Sequence, residues 1–145
     1  MANQQIILSL LSQLRDYLSK MKSLEPQVTS WKTFEKDWEK EWQIDRGLQL
    51  LIECSIDIGK EIITGLEIKK PTTYQEVFII LRQTGVVSED TSKKMQDLAV
   101  FRNELVHDYL YLDREKIYNV FKNDLKYFER YLLEIGGFLK KIKPC

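Results

Sequence analysis

Apolar residues recur every three or four positions along most of this chain, the spacing that gathers them on one side of an α-helix. Ile7, Leu10, Leu11, Leu14 and Leu18 form the first stripe and predict a helix over residues 3–23. Leu24-Glu25-Pro26 ends it, because proline disfavours the helical conformation of the residue before it. A second stripe predicts one long helix over 30–66, opened by Ser30 as N-cap. Trp31, Phe34, Trp38 and Trp42 mark its first part, and Leu48, Leu51, Ile52, Ser55, Ile58 and Ile62 its second. Gly47, Gly59 and Gly65 each weaken a helix interior by up to about 1 kcal/mol relative to alanine. Gly59 is expected to permit close helix packing and Gly65 to help end the segment.

Beyond Lys69-Lys70-Pro71, the run Thr73-Tyr74-Gln75-Glu76 has the pattern of a capping box and opens a short helix. Gly85 is a natural residue just past its end. Ser88 caps the next helix, which runs to about Tyr109. Asp113 caps the last, whose apolar positions are Ile117, Val120, Phe121, Leu125, Phe128, Leu132, Ile135 and Leu139. With only 3 prolines and 6 glycines, and no alternating run bounded by turn residues, no strand is expected. The prediction is an all-α antiparallel bundle of four main helices plus a short one, forming a single domain over 1–145.

Length and charge narrow the functional classes. A chain of 145 residues can bury a genuine core. Its 22 basic residues balance 22 acidic ones, so bulk attraction to nucleic acid is not implied and any such contact must come from a local patch. Two cysteines, Cys54 and Cys145, make neither a disulfide framework nor a metal site. Cys54 is expected in the core and Cys145 as a loose terminal thiol, a pattern that suits a reducing cytoplasm. The apolar start at Ile6-Ile7-Leu8 lacks a preceding basic segment and is soon interrupted by Gln13, Arg15 and Asp16. Neither a signal peptide nor a membrane span is expected.

The chemistry concentrates in Arg102-Asn103-Glu104-Leu105-Val106-His107-Asp108-Tyr109, which contains the only histidine. Histidine alone has an unperturbed pKa suited to taking and giving protons near neutrality. An arginine stays cationic and can hold a phosphate with two parallel hydrogen bonds. Together they supply a proton shuttle and an oxyanion clamp. Arg102 and His107, however, lie about 140° apart around an ideal helix, whereas Asn103 and His107 share a face. Either the helix loosens at its end, or a second copy of the motif faces the first across a two-fold axis. Taken alone, an arginine and a histidine at this spacing could also simply satisfy carbonyls or carboxylates at a helix end.

The order Arg, Asn, three residues, His, one residue, Tyr resembles the signature of the HEPN superfamily, and above all the HepT toxins that pair with a minimal nucleotidyltransferase antitoxin of the MntA type. The resemblance extends from Arg46-Gly-Leu-Gln-Leu-Leu-Ile-Glu-Cys-Ser-Ile-Asp-Ile-Gly-Lys60 through Pro71-Thr-Thr-Tyr74 and Phe101, to about Phe138. It implies a HEPN-like fold and a homodimer with a composite cleft. It also implies metal-independent cleavage of RNA, transfer or messenger, with no cofactor. In that chemistry His107 would deprotonate a ribose 2′-OH or protonate the leaving 5′-oxygen. Arg102 would stabilise charge on phosphorus, and Asn103 would orient the histidine or a phosphate. Tyr109 would be the residue to which the antitoxin transfers AMP, blocking the cleft with a bulky anion. The alternatives are a non-catalytic binding subunit of a nucleotidyltransferase and a degenerate HEPN protein that binds RNA without cutting it.

Other features carry less. Glu104 and Asp108 flank the motif with negative charge, as a partner contact, as arginine ligands or as a solvated face. The stripe of Trp31, Phe34, Trp38 and Trp42 suits core packing by default. A partner surface or a base-stacking platform is also open, the last opposed by Glu35, Asp37, Glu39 and Glu41. Lys140, Lys141 and Lys143 fit a solvated, dipole-matched helix end.

Overall fold

The computed structural model of the chain describes residues 2–107 and 112–142. Among them are seven α-helices and no strand: α1 (Gln4–Leu24), α2 (Trp31–Lys36), α3 (Trp38–Gly65), α4 (Tyr74–Gln83), α5 (Glu89–His107), α6 (Arg114–Asn123) and α7 (Leu125–Lys141). A single turn of 3₁₀-helix at Glu25–Gln27 follows α1, where Pro26 was expected to stop it. No helix among the described residues is long and apolar enough to cross a membrane.

The all-α class holds, but two of the expected long helices are each divided. The segment over 30–66 breaks at Asp37, whose backbone (φ −109°, ψ 85°) leaves the helical region while its Oδ1 accepts from the Lys40 N–H at 3.1 Å. Aspartate is a good N-cap, and a capped new start competes with continuation. From α6, Arg114 clamps both sides of the break, donating to the Glu35 carbonyl at 2.8 Å and to Glu41 Oε1 at 2.5 Å. The last segment divides at Asp124 (φ −110°, ψ −3°), which ends α6 and precedes α7 without a side-chain cap. Periodicity missed it because Phe121, Leu125 and Phe128 keep their stripe through the bend.

The caps at Ser30, Thr73 and Asp113 form as expected, each side chain accepting from the backbone N–H three residues on. Ser88 does the same for Thr91. The capping box at Thr73 closes on one side only. Glu76 accepts from the Thr72 hydroxyl at 2.8 Å instead of reaching back to the cap residue's N–H. Gly85 takes the left-handed conformation, with φ +77°, as its place after α4 requires. At the end of α3 the left-handed residue is Glu67, with φ 59°, not Gly65.

The axis of the bundle is α3, which packs against α1, α2, α4, α5 and α6. Ile44, Leu48, Leu51, Ile52, Ile58 and Ile62 are sealed from solvent along it. In turn, α7 lies against α1 and α5, bringing Phe128, Tyr131 and Ile135 into the same core. The buried Tyr131 hydroxyl donates to the Ser55 carbonyl at 2.8 Å, and the Ser55 hydroxyl to the Leu51 carbonyl at 2.8 Å. Cys54 is buried as expected, its Sγ 3.4 Å from the Leu10 carbonyl. Burial and the nearby Asp57 carboxylate push its thiol up to about 11, so it is an inert core thiol. Cys145 lies outside the described residues.

Gly59 lets α4 approach α3, because a Cβ there would overlap Val77 Cγ1 and crowd Leu81. Gly47 plays the same part between α3 and α1, but faces the flexible thioether of Met21. The two substitutions to alanine should therefore differ. Gly59→Ala overpacks stiff neighbours and is expected to cost about 1–3 kcal/mol in denaturant unfolding. Gly47→Ala, offset by better helix propensity and a mobile methionine, should cost clearly less.

Candidate active site

The motif helix α5 is pinned by Phe101 and Leu105, both buried. Phe101 also carries the Lys116 ammonium over its ring at 5.5 Å. With those two facing inward, Arg102 is directed toward α3 and is only partly exposed, while Asn103 and His107 face solvent together. The chain stays α-helical through His107. Loosening between Arg102 and His107 therefore does not occur, and the separation of about 140° around the axis stands.

Arg102 is held on three sides. Its Nε and Nη2 donate to Glu53 Oε1 on α3 at 3.1 and 2.8 Å. Its Nη1 lies 3.4 Å from Asn103 Oδ1. Its guanidinium sits over the ring of Tyr74, at the start of α4, at 5.4 Å from the centroid. The same ring takes the Lys60 ammonium at 5.0 Å. Glu53 is itself fixed by the Gln49 side-chain amide, which donates to Oε1 at 3.1 Å. Partial burial pushes the Glu53 carboxyl up. The hydrogen bonds from Arg102 and Gln49, with the charges of Arg102 and Arg46, outweigh that and leave it below its ordinary range. The result is a cation on the motif helix locked in orientation by a carboxylate, an amide and an aromatic face.

The other motif residues separate. His107 is exposed, in the last described turn of α5, and its ring makes no hydrogen bond among the described residues. Glu104 does not serve an arginine. Both its oxygens lie 3.0 Å from Lys116 Nζ, tying α5 to α6 on a half-exposed surface. Tyr109 and Asp108 lie outside the described residues, as does Lys143; Lys140 and Lys141 occupy the last turn of α7. Among the described residues no group of three or more His, Cys, Asp or Glu is arranged to hold a metal ion. Glu53, Gln49 and Tyr74 went unmarked as site residues in the sequence. All three stand in the segments that carry the family resemblance, but nothing local announces that they converge on Arg102.

The aromatic stripe divides at Asp37. Phe34 is buried, and Trp31 packs on it and on Tyr118, with ring centroids 5.8 Å apart in both pairs. Trp38 and Trp42, expected in the core by default, are instead 59% and 65% exposed and meet each other edge to face at 4.9 Å.

A sequence profile described as "Ribonuclease HepT-like" matches residues 14–135 of this chain. The chain belongs to that family. The YutE protein of Bacillus subtilis is 33% identical over 89 residues, which span 59% of this chain and 62% of YutE, less than two thirds of that relative. Its solved structure, described as a cytosolic protein of unknown function, superposes with a TM-score of 0.83 at 25% identity and covers 99% of this chain and 95% of YutE. The tRNA nuclease HepT of Aphanizomenon flos-aquae is 26% identical over 132 residues, 91% of this chain and 86% of its own. A tri-AMPylated HEPN toxin of Shewanella oneidensis, solved in complex with an MNT antitoxin, has the same fold. Its TM-score is 0.82 at 21% identity, covering 91% of this chain and 97% of the toxin.

The Glu53–Arg102 pair yields a pH test. The folded-state pKa of Glu53 lies below its ordinary value of 4.5, so the pair's stabilisation is fully present above that value and is lost as pH falls through the lowered one. Both side chains are partly solvated, at 17% and 33% exposure, which limits the effect to about 1 kcal/mol. Glu53→Gln should therefore lower unfolding free energy by about that much at pH 7. The deficit relative to wild type should close below pH 4.5. A pH-independent deficit would refute the assignment.

Proposed function

We propose that this protein is the toxin of a HEPN/MNT toxin–antitoxin pair, an endoribonuclease that cuts RNA without a metal ion in the cleft of a homodimer. The observation that carries the reading is Arg102, immobilised by Glu53 and Tyr74 on the motif helix of a chain that belongs to the ribonuclease HepT-like family. An arginine held in this way is preorganised for charge that develops on a phosphoryl group, which is where electrostatic stabilisation is most effective.

In this reaction the ribose 2′-oxygen attacks the adjacent phosphorus and the 5′-oxygen of the next nucleotide leaves. The products are a 2′,3′-cyclic phosphate and a 5′-hydroxyl. His107 takes the 2′-OH proton or gives one to the leaving oxygen. Arg102 neutralises charge on the non-bridging oxygens, and Asn103 orients the phosphate or the imidazole. With Arg102 and His107 about 140° apart around α5, one chain does not naturally aim both at the same phosphate. A second α5 across a two-fold axis supplies the missing direction. It also supplies a second histidine, so acid and base come from different chains.

The antitoxin is a minimal nucleotidyltransferase that silences the cleft by transferring AMP to Tyr109. The new phosphate repels RNA of like charge. The AMPylated state of the Shewanella oneidensis toxin supports this assignment, and the tRNA nuclease among the relatives makes tRNA the first substrate to try, ahead of mRNA. The compartment we assign is the cytoplasm, supported by the description of the Bacillus subtilis YutE protein as cytosolic.

Purified protein made without any partner should cleave total RNA in EDTA and leave cyclic-phosphate ends. His107→Ala changes an exposed side chain and should fold. It is expected to reduce cleavage by roughly 10²- to 10⁴-fold, and Arg102→Lys by a comparable order if bidentate phosphate binding is lost. Equal cleavage by wild type and His107→Ala refutes the catalytic assignment. No cleavage by unmodified dimer would favour a nucleotidyltransferase-binding subunit. With active antitoxin and ATP, mass spectrometry should find one or more AMP units on Tyr109, and an unmodified tyrosine would refute the neutralisation scheme.

A further inference from the structure

Beside the motif turn, between α3 and α5, is a cleft of about 330 Å³ lined by Trp42, Asp45, Arg46, Gln49, Leu105 and Val106. It falls in the size range of small-ligand sites, roughly 300–1,000 Å³. Its apolar wall, Leu105 and Val106, belongs to the turn between Arg102 and His107. Its floor is wired to Arg102, since Gln49 donates to the same Glu53 oxygen that receives the guanidinium. A group bound here therefore adjoins the residues assigned to chemistry.

Among the described residues, the polar side chains of this cleft keep hydrogen-bonding capacity that the fold does not use. Asp45 is half-buried and receives no hydrogen bond among the described residues. Burial and the neighbouring Glu41 carboxylate push its carboxyl up from the ordinary range, as expected of an acceptor lacking a donor. Arg46 is exposed and makes no ion pair among the described residues. Gln49 has committed its amide N–H to Glu53, so its carbonyl oxygen remains as an acceptor. Trp42 stays exposed and meets Trp38 edge to face. The acidic residues that oppose a stacking role are partly occupied elsewhere: Asp37 caps α3 and Glu41 pairs with Arg114.

We infer that this cleft is a subsite for a guanine base of single-stranded RNA, with Trp42 as the stacking face, Asp45 as the acceptor for the base edge, and Arg46 on the adjoining phosphate. An aromatic face and a hydrogen-bonding group for an unstacked base are the usual elements of single-strand RNA recognition. The choice of base follows from the acceptors. Guanine presents two adjacent donors, N1–H and the N2 amino group, to one carboxylate. Adenine and cytosine offer an amino group beside a ring nitrogen acceptor, which would face the carboxylate oxygen. Uracil offers a single N–H between two carbonyls. A site built around paired acceptors rejects bases that leave them unpaired.

This inference rests on the ribonuclease reading, but can be tested by binding as well as by cleavage. The probes are oligouridine hexamers carrying one central guanine, inosine, adenine or uracil. Binding to His107→Ala protein is followed by tryptophan fluorescence, and cleavage by wild type is measured in parallel. The guanine oligomer should bind at least tenfold tighter than the uracil one, and inosine, which lacks the N2 amino group, should lose most of that gain. Asp45→Asn should abolish the preference for guanine. Trp42→Ala should raise KM by roughly five- to a hundredfold with kcat within a few fold of wild type. Equal binding of all four oligomers, or a guanine preference surviving in Asp45→Asn, overturns the subsite. Conversion of the dimer to monomers by Trp42→Ala assigns this face to the second copy and also overturns it. If wild type fails to cleave RNA while guanine-selective binding persists, the ribonuclease reading fails and the subsite stands.

Discussion

The structure depends on the burial of α3. A helix packed against five neighbours has little solvent left for its polar groups, so each must find a partner or sit at the margin of the core. Two solutions are visible two residues apart. The Ser55 carbonyl accepts from Tyr131 of α7, and the Glu53 carboxylate accepts from Arg102 of α5. The first bond is sealed and structural. The second lies at the edge, where the same contact that satisfies the fold presents a cation to solvent. The site thus grows out of the packing requirement of the central helix.

That origin explains how Arg102 can serve the packing of α3 and still be available for the proposed chemistry. Arginine is suited to such a position because its planar fork can serve a carboxylate on one side and keep other N–H donors available. Tyr74 adds an aromatic face, and Gln49 keeps Glu53 from turning away. His107, by contrast, has no comparable support among the described residues and lies on another side of the same helix. Of the two residues proposed for catalysis, Arg102 is held in orientation within the chain, whereas His107 is exposed at the end of α5. Under the proposed reading, such an arrangement would couple activity to assembly, because the two side chains point to different sides of one helix.

The division of the aromatic stripe follows the same logic at a larger scale. Had 30–66 been one straight helix, Trp31, Phe34, Trp38 and Trp42 would have pursued a common face. The cap at Asp37, braced by Arg114, turns the first two onto Tyr118 and leaves the last two outside. Trp42 consequently stands at the mouth of the cleft that borders the motif turn. A local polar cap therefore decides which aromatics build the core and which stay at the surface.

Helical periodicity, caps and the motif were legible in the sequence because they depend on near neighbours. Ser30, Thr73, Ser88 and Asp113 open helices as their side chains dictate, and the stripe from Ile7 to Leu18 identifies the buried face of α1. Family membership was likewise readable, since the motif from Arg102 to Tyr109 and its flanks carry the resemblance by residue type and spacing. The bends at Asp37 and Asp124 were not, because an apolar stripe can pass through a bend without losing its period. Nor could the sequence say that Glu53, 49 residues away, holds Arg102, or that Gln49 and Tyr74 complete its cage. Those pairings are decided by which helices pack together and at what rotation, quantities that arise only when α3 and α5 bury their faces against each other.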